Sequence, residues 1–155
     1  MKPFIKNFIL SLLVYLATIF LTYLLVTIMW RADVPFRGVS YLPIWAEIVF
    51  WLHSIIVVAL LFLFGTKLNL LNNHWLNFLS VCGILTLGLF LTFFGGYSGI
   101  FVSFAFFRLG AFVLIIVRNP YISLSIMSLL PSLIIWLGML YKSSKLKKKQ
   151  GEMTD

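Results

Sequence analysis

Carboxylates are scarce in this chain. Asp33, Glu47, Glu152 and Asp155 are the only four in 155 residues. Aspartic acid–base chemistry needs two carboxylates that share a proton. Asp33 and Glu47 form the one conceivable pair, and no motif surrounds either. Cysteine is scarcer still. Cys82 stands alone inside an apolar run, which excludes an intramolecular disulfide and any CxxC site. It reads as a small buried apolar residue. Of the two histidines, His53 shares an apolar run with Glu47, and His74 stands just before the run that holds Cys82. H-E-x-x-H spacing is absent, so no metal site is expected. A phosphate-cradling G-x-x-x-x-G-K is missing as well. No catalytic residue, metal or cofactor is therefore expected, and the chain reads as non-enzymatic.

Charge as a whole is sparse. Only 10% of residues are charged, 62% are hydrophobic, and the mean hydropathy is +1.08. A soluble domain is about half apolar and about a quarter charged. A chain this apolar cannot cover its surface in water, so its expected solvent is lipid. The length suits one compact bundle.

The charge that exists is placed unevenly. Lys142, Lys145, Lys147, Lys148 and Lys149 follow the last apolar run. A basic tail beside a membrane span reads as an anchor on anionic headgroups at the cytoplasmic face, rather than as a nucleic-acid binder. Lys2 and Lys6 stand at the start of a first apolar run from Phe4 to Trp30. That run exceeds the roughly 7–15 residues of a signal-peptide core and lacks an A-x-A site, so it reads as a retained span. The expected organisation is a bundle over 1–141 and a basic cytoplasmic tail over 142–155. The tail, "KSSKLKKKQGEMTD", is expected to be disordered.

Further apolar runs cover about Ile44–Phe64, Trp75–Phe94 and Tyr121–Tyr141. Trp30, Tyr41 and Trp45 bracket the first loop as interfacial aromatics do. Gly65 and three asparagines, Asn69, Asn72 and Asn73, mark the second turn, with Gly65 read as a helix stop. The segment Tyr97–Val117 is ambiguous. It is long enough to cross, but it carries Arg108 near its centre and Gly110 just beyond. The N-terminal lysines and the lysine tail both favour the inside, which requires an even number of crossings. The expected fold is all-α and polytopic, with four transmembrane helices plus one re-entrant or interfacial apolar segment at Tyr97–Val117. Five spans with an outside N-terminus is the alternative.

Gly96-Tyr97-Ser98-Gly99 resembles the tetrapeptide around the nucleophile of rhomboid intramembrane proteases. That resemblance implies a histidine base on a later helix, yet both histidines precede Ser98. Ser98 is therefore expected to sit in a tight glycine turn and not to act as a nucleophile.

Ionisable residues within apolar sequence mark function by default. Glu47, His53 and Arg108 form the candidate polar site. Glu47 and His53 are six residues apart, hence about 120° apart on a helix, and are not a contacting pair. Glu47 and Arg108 are expected to pair at the outer half of the bundle. Hydroxyl stripes provide the expected helix contacts. Ser11, Tyr15, Thr18 and Thr22 recur at spacings of four, three and four, and Ser125, Ser128 and Ser132 at three and four. In lipid such residues permit close approach and cross-helix hydrogen bonds.

These features suggest an accessory, assembly or immunity-type subunit that acts through intramembrane helix contacts. Its expected partners are anionic lipid and another membrane protein or a second copy of itself, with no nucleic acid. The alternative is a small transporter or channel for an ion, proton or lipid, using Glu47, His53 and Arg108.

Overall fold

The structure is a computed structural model, and it describes residues 2–31, 43–94, 113 and 115–151. Every regular element among the described residues is helical. Three helices are long and apolar enough to cross a membrane. They are α1 (Lys2–Arg31), α2 (Ile44–Lys67) and α5 (Pro120–Gly151), with the short α3 (His74–Leu79) and α4 (Gly83–Phe94) between the last two.

Each long helix buries a stripe at the spacing of one helical face. On α2 the buried residues are Ala46, Phe50, Ser54, Val57, Leu61 and Gly65. On α1 they include Asn7, Ser11, Tyr15, Thr18 and Thr22. Alternation of three and four keeps such residues on one side of a 3.6-residue helix. α5 is central, packing most extensively on α2 and α4. Its buried arc is wider and includes Met127, Ser128, Ser132, Ile134, Ile135 and Met139. A second apolar cluster, Met29 with Ala46 and Phe50, joins the far ends of α1 and α2.

Gly65 is not a helix stop. α2 continues to Lys67, and Gly65 is buried against α5. A Cβ on Gly65 would run into the Ile135 carbonyl oxygen, and one on Gly138 into that of Phe62. The two backbones touch there because neither residue has a side chain, the close approach that small residues permit between membrane helices.

The apolar run Trp75–Phe94 does not form one helix. It breaks at Ser80–Cys82 into α3 and α4. Through the break the backbone tightens to i→i−3 bonds, Val81 N to Phe78 O at 3.0 Å and Cys82 N to Leu79 O at 3.2 Å. Ser80 Oγ also bonds back to the Asn77 carbonyl at 2.8 Å. The Val81 carbonyl accepts from Ser132 Oγ on α5 at 3.0 Å. A serine thereby serves a backbone group at the break, as apolar surroundings require.

The basic segment after Tyr141 also differs from expectation. It is helical through Gly151 as the last turns of α5. Lysine, leucine and glutamine are good helix formers. Extending a formed helix also avoids the nucleation cost that an isolated segment would meet. The "RNP" turn before α5 has a clear local cause. Asn119 Oδ1 accepts from the backbone of Tyr121 and Ile122 at 3.1 and 3.3 Å, and Pro120 takes the first helical position. Arg118 precedes them at a φ of 55°.

Candidate functional site

The densest polar structure surrounds the loop at 68–73. Asn7, fully buried on α1, binds the backbone of Asn69 at two points. Its Nδ2 donates to the Asn69 carbonyl at 2.8 Å, and its Oδ1 accepts from the Asn69 N–H at 3.2 Å. Asn77 of α3 treats Leu71 the same way, accepting from its N–H at 2.8 Å and donating to its carbonyl at 3.3 Å. A carboxamide has one acceptor and one donor group side by side, so it can substitute for a backbone strand. Lys142 of α5 donates from Nζ to the Leu68 carbonyl at 2.6 Å. Trp136 Nε1 reaches the His74 carbonyl at 3.3 Å. The start of α1, the end of α2 and the basic part of α5 thus meet at one end of the bundle.

The second polar contact lies midway along α1 and α2. Thr22 Oγ1 of α1 and His53 Nε2 of α2 are 2.8 Å apart. Thr22 Oγ1 also lies 2.9 Å from the Thr18 carbonyl. A threonine hydroxyl carries one proton, so both bonds form together only when His53 Nε2 holds the imidazole hydrogen and donates it. The Nδ1–H tautomer would take the Thr22 proton and release the Thr18 carbonyl.

Glu47 occupies a different flank of α2. It is half-buried in the first helical turn, beside an open groove lined by Ile44, Ile48, Trp51, Leu52 and Ile55. A carboxylate in the first turn is favoured by the helix dipole. Glu47 and His53 lie on opposite flanks of the buried α2 stripe, and α1 covers the His53 flank. The structure therefore does not bring them into one site. Arg108, Ser98 and the glycine tetrapeptide lie outside the described residues, as does most of Tyr97–Val117. Residues 113 and 115–117 are helical, and Val113 packs against the main core.

Among the hydroxyl stripes, Ser11, Tyr15, Thr18 and Thr22 are all buried, as are Ser128 and Ser132, whereas Ser125 is half-exposed. Most of these hydroxyls serve their own helix. Ser11 donates to Phe8 O, Thr18 to Tyr15 O and Ser128 to Leu124 O. Among the described residues, Ser123 Oγ is buried with no hydrogen-bond partner. Of the basic residues after Tyr141, Lys145, Lys147 and Lys148 are exposed, and the Lys149 side chain is outside the described set. Among the described residues no three metal-ligating side chains gather.

Sequence reasoning missed Asn7, Asn77, Gly65 and Gly138. The signal for Asn7 was its register, four residues before Ser11 on the same stripe. Gly65 had a comparable signal, four residues beyond Leu61 on the buried face of α2. No family model matches this chain, and comparison with curated proteins and with solved structures found no match.

Proposed function

We propose that this chain is a non-enzymatic, multi-pass membrane protein that acts as an accessory, assembly or immunity-type subunit through helix contacts within the bilayer. The observation that carries this reading is the unequal burial of its long helices. Half of the apolar window of α5 is buried inside the chain, 50%, against 22% for α1. The polar stripe of α1 faces inward. Its outward face presents Ile9, Leu13, Leu16, Phe20, Leu24 and Ile28, all well exposed. That ridge is continuous, apolar and on a peripheral helix, which suits a second membrane protein.

The topology that goes with this reading has four crossings and the basic end in the cytoplasm. Asn7 and Lys142 meet the same loop, which supports an even number of crossings. The third crossing would be α3 and α4 together. α4 alone, at 12 residues, is about 18 Å long against a hydrocarbon core of about 30 Å. Positive charge at the shared end favours the inside.

A photoreactive side chain placed along α1 tests the proposal in cells. Crosslinks to one protein at Leu13, Leu16 and Phe20, and none at Ser11, are the expected result. Lipid adducts alone at the three outward positions would end the subunit reading. The Thr22–His53 contact favours a second reading, a transporter or channel, because it holds a titratable ring half-buried mid-helix. Flux in liposomes that is lost on His53→Gln or Glu47→Gln would support it over the first.

A further inference from the structure

A groove opens at the basic end between the last turns of α2 and the lysine-bearing part of α5. It encloses about 400 Å³ and is lined by Phe62, Leu63, Thr66, Tyr141, Lys142, Lys145 and Leu146. That volume lies within the roughly 300–1,000 Å³ of small-molecule sites.

The lining is ordered along the helices. Phe62 and Leu63 stand one turn deeper than Thr66, and Tyr141 one turn deeper than Lys145. Phe62 and Tyr141 pack with ring centroids 5.9 Å apart and form an aromatic wall. Among the described residues, the mouth carries two ammonium groups and no carboxylate. Among the described residues the only acid is Glu47, near the opposite end of α2. Lys142 is held in place by its 2.6 Å bond to the Leu68 carbonyl. An ammonium has three donors, so that bond leaves others for an anion. Lys145 is exposed beside it, one turn along the helix.

An apolar floor beneath a fixed cationic mouth is the complement of one amphiphile, an acyl chain under a phosphate. We propose that this groove binds a single anionic phospholipid, with its phosphate between Lys142 and Lys145 and an acyl chain along Phe62, Leu63 and Tyr141. The site goes beyond general attraction of a basic helix to a charged surface, because it is walled by α2 and α5. It rests on the reading of the chain as a membrane protein but not on a protein partner.

Native mass spectrometry of the purified full chain in detergent tests it, with phosphatidylglycerol and phosphatidylcholine of equal chain length. Retention of one phosphatidylglycerol, and little phosphatidylcholine, is expected. Lys145→Gln should weaken retention about fivefold, the effect of one lysine at such a surface. Leu63→Trp, which fills the groove without changing charge, should weaken it at least as much. A Lys147→Gln, Lys148→Gln pair removes two charges outside the groove and should change it less than either. If that pair has the larger effect and Leu63→Trp has none, the attraction is diffuse and no site exists. If excess soluble glycerol phosphate displaces the lipid, the site takes a free anion and the lipid assignment fails. Because only the isolated chain is used, a negative result leaves the protein-partner reading untouched, and loss of that partner reading leaves this site untouched.

Discussion

The two polar regions of this molecule hold helices together by different means. At the basic end, asparagine and lysine side chains cross to the backbone of another element, as Asn7 does to Asn69, 62 residues away. Along the middle of α1 and α5, buried hydroxyls mostly fold back on their own helix, as Thr18 does to Tyr15 and Ser128 to Leu124. Both regions look polar in sequence. The first uses polarity chiefly as adhesion between elements. In the second, Ser132 and Thr22 do reach another element, but most of the other hydroxyls satisfy themselves, and what they show the neighbour is a small, smooth surface. Adhesion there comes from packing, as it also does nearer the basic end at Gly65 and Gly138.

Asn7→Leu should break the comparison at its stronger side. It strands the N–H and carbonyl of Asn69, each worth about 1–3 kcal/mol when left unsatisfied away from water. A loss of about 2–4 kcal/mol is expected, read as a shifted unfolding midpoint in one fixed detergent. A shift below about 0.5 kcal/mol would mean that water replaces the amide and that the loop is not held by it.

Gly138→Ala probes packing without touching polarity. The new methyl meets the Phe62 carbonyl oxygen, and the α2–α5 contact must open. Overpacking of this kind costs about 1–3 kcal/mol. Gly83→Ala is a useful control, since the nearest atoms to its Cβ would be the end of the Phe8 ring, at 2.7 Å. It should cost less, because a ring edge moves more easily than a backbone.

The smallest effect is expected from Ser128→Ala. Its hydroxyl bonds within α5, so its removal strands no other element. The loss should fall below the average transmembrane hydrogen bond of about 0.6 kcal/mol. A larger loss would erase the distinction between the two regions.

The α1 stripe was legible in the sequence because its residue types repeat at the helical period, and burial follows from period alone. The loop clasp was not legible. Asn7 sits among basic residues and looks like an ordinary polar flank, and its partner is backbone, which leaves no mark in sequence. The break at Ser80–Cys82 was hidden for a related reason. Hydropathy runs unbroken through it, and the only trace was the pair of small residues Ser80 and Gly83. The helical course of the last lysines was misjudged from composition. Charge argues against a core, but these residues need none, since they extend a helix already formed. His53 was read as one of three ionisable residues of a polar site, and its contact proved to be Thr22, a member of the hydroxyl stripe.

The clasp has a consequence for how the chain is made. The 68–73 loop can gain Asn7 early, since α1 is already synthesised when the loop emerges. Its hold on Lys142 must wait for synthesis of some seventy further residues, 74 along the chain from Leu68. Domains that depend on such late contacts pass through a stage with one end open and sticky. A ribosome stalled before α5 would therefore leave an unlatched intermediate whose α2 glycine face is bare. Such a nascent chain should be the form that quality-control proteases recognise, and it should become resistant only once Lys142 has cleared the insertion machinery.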